Sequence, residues 1–128
     1  MPADGDSYGD VIYIVNATPL PGKRLLCKYN DGKWNLFDVR PLLGNDVFSP
    51  LESDDIFYNI DISKGAPSWD DERIDIAPEH LYEKGIQLDD KDAWFLEFVS
   101  SLDDSGKDGA KRDLLSAVID GFVEYISI

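Results

Sequence analysis

Residues 23–39 read KRLLCKYNDGKWNLFDV: two runs rich in apolar and aromatic residues on either side of Asn30-Asp31-Gly32-Lys33. Asp-Gly supplies the positive φ that tight hairpin turns require, and the flanking runs, Lys23 to Tyr29 and Trp34 to Val39, have the length and composition of strands. They are expected to pair antiparallel. Pro41 ends that pairing because it has no N–H to donate, and Leu42-Leu43 can plug a core from a single turn. Upstream, Val11-Ile12-Tyr13-Ile14-Val15 is a β-branched run closed by Asn16 and the Pro19-Leu20-Pro21-Gly22 cluster, which reads as a strand followed by a loop.

Downstream, Leu51 to Asp55 reads as a connector or helical turn that places Phe57 inward. Tyr58, Ile60 and Ile62 alternate with Asn59 and Asp61, as in a strand with one face on a core and one in water. Lys64-Gly65-Ala66-Pro67 is a turn, Trp69 opens another extended piece, and Arg73 to Ile76 resumes alternation as a closing strand. Pro78-Glu79-His80-Leu81-Tyr82 starts a helix with Pro early and Glu in the first turn. Gly85 ends it.

The order of these anchors, from Tyr29 through Phe48-Ser49-Pro50-Leu51, Phe57, Trp69 and Asp75-Ile76-Ala77-Pro78-Glu79-His80-Leu81-Tyr82, resembles the DUF2442 family of small bacterial domains over residues 11–84. The resemblance implies the fold and leaves the function open, as the family's name records. It further implies a domain that often stands alone and whose gene often neighbours that of another small protein, as toxin and antitoxin genes do. Some relatives carry a helix-turn-helix after the domain, and this chain departs from that pattern. Its last third is helical with acidic exteriors, where a DNA-reading helix would carry Lys, Arg, Asn or Gln.

That last third holds two apolar stripes. Asp89 and Asp90 are N-cap residues, and Trp94, Phe95, Phe98, Val99 and Leu102 follow at spacings of three and four. After the Asp103–Gly109 turn come Leu114, Leu115, Val118, Ile119, Phe122, Val123 and Ile126 on one wide face. Burying these seven residues would contribute on the order of 10 kcal/mol before ordering entropy is counted. The face must dock on the sheet, on the Trp94 helix, or on a second copy in a homodimer through the C-terminal helix.

Charge bounds the partners. The chain has 12 Lys and Arg against 26 Asp and Glu, a formal net charge of −14. Nearly all of the excess lies after residue 48. Such a field repels phosphate backbones and anionic lipid, so direct nucleic-acid or membrane binding is not expected, whereas a basic protein partner would be attracted. The densest acidic runs, Asp70-Asp71-Glu72 and Asp89-Asp90 with Asp92, are the candidate partner-binding residues. The N-terminus lacks a basic region followed by an apolar stretch, and the apolar runs are too short to cross a membrane; the expected localisation is cytoplasmic.

Little in the residues points to catalysis. The lone Cys27 sits in an apolar run and the lone His80 on a different segment, so no Cys–His pair or zinc set is present. An EF-hand loop begun at Asp104 would place Leu115 at the twelfth position, where a bidentate Glu is needed. No phosphate loop or hydrolase serine elbow appears. Asp38 and Asp75, which fall where the family pattern repeats an Asp, are read as structural caps of the turns that follow them. No catalytic residue, metal or cofactor is assigned.

The expectation is one α+β domain over residues 10–128 behind a flexible N-terminus, residues 1–9. It comprises a DUF2442-like part, 11–84, and a helical part, 89–128. A small antiparallel meander of four or five strands packs against two or three helices, the last two at the C-terminus covering one face. Trp34 or Phe37, Phe57, Trp94, Phe98, Leu115 and Phe122 are expected to be buried together. The expected function is a non-enzymatic interaction module, antitoxin-like or regulatory, for a small basic partner. The alternatives are an acidic nucleic-acid mimic that inhibits a nuclease, of the anti-restriction or anti-CRISPR type, and an enzyme acting through Asp38 or Asp75.

Overall fold

Period-two side-chain alternation in the hairpin sends apolar residues to both sides of the sheet. In the computed structural model, which describes residues 11–103 and 109–127, β2 (Arg24–Tyr29) and β3 (Trp34–Asp38) pair antiparallel with Leu26 opposite Leu36 and Leu25 opposite Phe37. Gly32 takes the positive φ of +86° that the turn requires. β1 (Ile14–Leu20) lies on one side of the hairpin and β6 (Ile86–Leu88) on the other, giving a four-stranded antiparallel sheet in the order β1-β2-β3-β6. A separate two-stranded ribbon joins β4 (Ser68–Trp69) to β5 (Ile74–Asp75).

Each face of the four-stranded sheet has its own core. Leu25, Cys27, Tyr29 and Phe37 point to one side, where Leu51, Phe57, Trp69, Ile76 and Leu81 cover them. This layer is built from turns, from the short α1 (Asp54–Phe57) and α2 (Pro78–Lys84), and from the ribbon. Within it the Trp69 indole N–H donates to the Phe57 carbonyl at 2.9 Å. Leu20, Leu26, Leu36 and Leu88 point to the other side, under α3 (Asp90–Ser101) and α4 (Gly109–Ile126).

Four features differ from the sequence reading. β1 starts at Ile14 and runs on through Pro19, with a bulge between Ile14 and Asn16; an edge strand tolerates proline because its outer N–H has no ladder partner. Tyr58 to Ile62 is not a strand: only Asp61 bridges, to Ser68, while Ile60 and Ile62 pack half-buried on the first core. β6 was not expected, since three residues after a helix stop carry no periodicity. Trp94 and Phe98, expected in a single shared core, are exposed. The sheet takes Ala93, Leu96 and Val99 from α3 instead, because residues three apart share a helix face and these shorter side chains let the helix lie close to β2 and β3. The frayed end expected at residues 1–9, and Asp104–Asp108 of the expected turn, lie outside the described residues.

One buried amide ties these layers together. Asn35, on β3, accepts from the Tyr29 hydroxyl at 2.8 Å and donates to the Leu81 carbonyl at 2.7 Å. It thereby fixes the end of α2 against the sheet and directs the chain into β6. Gly85 makes the approach feasible, since a Cβ there would lie 2.4 Å from the Asn35 Nδ2. Asn35→Ala leaves the Leu81 carbonyl and the Tyr29 hydroxyl without partners and should cost about 1–3 kcal/mol. Gly85→Ala should cost a similar amount by forcing the two apart, about 1–3 kcal/mol. Urea denaturation of each variant measures both losses.

Candidate functional site

α3 is placed by its cap and its inner face. The Asp89 carboxylate accepts from the Asp92 N–H at 2.9 Å, closing the first turn, and Ala93, Leu96 and Val99 then sit on the sheet. α4 returns antiparallel to α3. Midway along α3, Phe95 meets Phe122 with ring centroids 4.9 Å apart. Beyond its end, Asp103 accepts from Arg112 at 3.0 Å. Arg112 and Phe122 lie toward opposite ends of α4, and two such contacts fix both its direction and its register.

The clamps on α4 are ionic. Arg112 is buried, lies 4.1 Å above the Tyr58 ring, and also reaches Asp54 at 3.1 Å. Two turns further along α4, Asp120 accepts from Arg24 at 2.7 Å and stands 3.8 Å from Arg40. Arg24 belongs to β2 and is itself buried, so α4 is pinned to α1 and the end of α3 through Arg112 and to the sheet through Asp120, with Leu115 and Ile119 buried between the pins. Burial alone would raise the Asp54 carboxyl, but hydrogen bonds and charge from Lys23 and Arg112 overcome it and hold it below the ordinary carboxylate range.

What this arrangement leaves outside is an apolar face. Trp94 and Phe98 on α3 are 67% and 51% exposed, and Leu114 and Tyr125 on α4 are 66% and 72% exposed. Leu102 and Val118 are exposed beside them, and Trp94 stacks on Phe98 at 6.1 Å. At 100° per residue, Trp94, Phe98 and Leu102 lie on the solvent side of Phe95, and Leu114, Val118 and Tyr125 on the solvent side of Phe122. The two rows therefore flank the seam marked by the Phe95–Phe122 contact. The outer edges of the rows carry exposed acids, Asp90 and Glu97 on α3, Asp113 and Glu124 on α4. Single exposed apolar residues are ordinary, but six large ones on one face make the kind of patch that marks an interaction site.

The acidic residues picked out from the sequence fall in two separate places. Asp70, Asp71 and Glu72 form the tip of the β4–β5 ribbon, all three with positive φ, and beside it lies a shallow depression of about 420 Å³ that Asp61, Ser68 and Trp69 help to line. They sit on the first-core side of the sheet, partly engaged by Arg73 at 3.5 Å and Lys64 at 2.8 Å. Asp89, Asp90 and Asp92 lie on the opposite side, at the start of α3. Among the described residues, no cluster of His, Cys, Asp or Glu is arranged to hold a metal ion.

Asp38 accepts from the backbone N–H of Arg40 at 2.9 Å and pairs with its guanidinium. Burial would raise this carboxyl, yet the Arg40 bonds leave it lowered. The exposed side chain of Asp75 makes no hydrogen bond among the described residues, and α2 begins after Ala77 without a side-chain cap, with Pro78 at its first position. Burial pushes the Cys27 thiol up to about 12, so it stays protonated and unreactive at neutral pH. His80 is exposed against the edge of Phe37. The residues that sequence reasoning missed are Arg24, Asp103, Arg112 and Asp120, whose only signal was two arginines next to apolar runs.

A family model described as "Protein of unknown function (DUF2442)" matches residues 14–87. The matched stretch takes in Ile86 and Gln87 of β6, and it ends before α3 and α4 begin. No curated protein and no solved structure matches the chain. No helix among the described residues is long and apolar enough to cross a membrane.

Arg112→Ala would strand the buried Asp103 carboxylate and should cost about 3–5 kcal/mol. Asp54 has a folded pKa below its unfolded value of about 3.9. Its contribution is therefore present above about pH 4 and lost as pH falls through the folded pKa. Stability measured in urea should accordingly hold from neutral pH down to about pH 5 and drop below about pH 4. Asp54→Asn should flatten that acid limb.

Proposed function

The chain belongs to the DUF2442 family, and from that premise we propose that it is a non-enzymatic protein-interaction module, antitoxin-like or regulatory, that binds a small basic protein partner. The observation that carries the reading is the apolar face of α3 and α4, bordered by acids in a chain of net charge −14. Apolar side chains supply contact energy, and the surrounding field draws in a positively charged body and rejects nucleic acid. The face lies wholly outside the residues matched to the family, so it would give this chain a partner of its own on a shared scaffold.

The runner-up, an acidic mimic of nucleic acid that blocks a nuclease, is favoured by the exposed run Asp70-Asp71-Glu72. A mimic works by charge arrayed along a surface, and six exposed large apolar residues add nothing to that imitation. Asp70, Asp71 and Glu72 sit on the side of the sheet away from α3 and α4. For the interaction module they act at long range, on encounter.

The test uses the full chain as bait, identifies captured proteins from the source lysate, and repeats the measurement with the purified partner. The expected partner is basic, its affinity falls steeply as salt rises through the physiological range, and Phe98→Glu with Leu114→Glu abolishes binding. Neutralising Asp70, Asp71 and Glu72 should slow association more than it speeds dissociation. Binding that survives the Phe98 and Leu114 changes but is lost with the acidic triple would transfer the function to the mimic reading.

A further inference from the structure

We propose that the segment of the partner seated on this face is a basic amphipathic helix lying along the seam between α3 and α4; the inference rests on the reading above that this face binds a protein. Shape gives the first argument. The exposed row on α3 runs from Trp94 to Leu102 and that on α4 from Leu114 to Tyr125, spans of about 12 and 16 Å at the helical rise. Two antiparallel rows of that length, with Phe95 and Phe122 between them, form a trough that fits about three turns of a third helix.

Gly121 gives the second argument. It lies in the interior of α4, where glycine is among the least favourable residues, and a Cβ built on it would meet nothing within 4 Å. The chain's own packing therefore does not require glycine there. The residue sits on the outward face between Leu114 and Tyr125, one turn from the exposed Ala117. Small residues at such a position let the backbone of another helix approach to packing distance.

Charge decides the occupant. Glu97, Asp113 and Glu124 line the long sides of the trough, while the exposed Lys91 and Lys111 stand in the first turns of their helices, at opposite ends of the seam. A second copy of this chain would have to meet the face with the same face. Its acids would then oppose these acids between two bodies of charge −14. A helix with an apolar stripe and flanking Lys or Arg satisfies both the trough and its rim.

Trp94 is the reporter: Trp69 is buried and Trp34 half-buried, so the exposed Trp94 is the indole whose surroundings docking would change. The probe is a synthetic leucine–lysine peptide with helical apolar periodicity, about five turns long. It should shift Trp94 emission to the blue, with no shift from a scrambled peptide of the same composition or from one with Glu replacing Lys. Gly121→Ala should raise the chain's own denaturation midpoint, and Gly121→Leu should weaken peptide binding at least about tenfold while the fold persists. A structural role for the glycine would instead make both substitutions destabilising. Equal response to the scrambled or acidic peptide, or unchanged binding by Gly121→Leu, overturns the inference. So does a dimer in light scattering that Leu114→Glu converts to monomer. If the natural partner is lost with Phe98→Glu and Leu114→Glu but the helical peptide does not bind, the helix inference fails and the function reading stands. If the partner is retained by that double variant, the function reading itself falls.

Discussion

Antiparallel strands commonly leave one face to water; β2 and β3 leave neither. Leu25, Cys27 and Tyr29 enter one core, and Leu26 and Leu36 the other. A one-residue slip of this hairpin would exchange every side chain between two differently shaped layers, so its register is fixed from both sides. The other elements answer that demand. Turns, two short helices and a ribbon cover one face, and α3 with α4 cover the second.

The second face is covered in an unusual way. α3 gives the sheet a conventional aliphatic stripe. α4 gives it only Leu115 and Ile119 as fully buried apolar residues, with Arg112 buried beside them. Its position is held by Arg112 with Asp103 and Asp54 and by Arg24 with Asp120. Buried ion pairs are weak sources of net stability but strict about geometry, because breaking one leaves an unpaired charge out of water. They fix where α4 lies without consuming its apolar residues. Much of that apolar surface is left facing out.

This division of labour underlies the functional reading. In a helix docked by aliphatic burial alone, Leu114 and Val118 would be drawn inward with Leu115 and Ile119. Here the ionic pins decide the rotation of α4, and the stacked Trp94 and Phe98 of α3 fall on the same outer side. Four of the chain's acids, Asp90, Glu97, Asp113 and Glu124, edge this surface, so under the proposed reading charge would attract a basic body to the place where apolar contact is on offer.

Sequence by itself determined the elements whose signals are local. The Asp31-Gly32 turn set the hairpin, Pro78 and Gly85 bounded α2, Asp89 capped α3, and Asp38 formed its turn with Arg40. Each depends on residues within about one turn of chain. The order of apolar anchors determined the family as well. Tertiary structure alone decided which apolar residues are inside. Trp94, Phe98 and Val99 lie on adjoining parts of one helical stripe, and only the close approach of the sheet selected Val99 with Ala93 and Leu96. β6 exists because β3 had a free edge and Asn35 delivers the end of α2 to it. Arg24 and Arg112 became buried because carboxylates distant in sequence, Asp120 and Asp54, were brought to meet them. Helical periodicity states that a face is apolar, but a neighbouring surface must be in place before that face is buried or left for another protein.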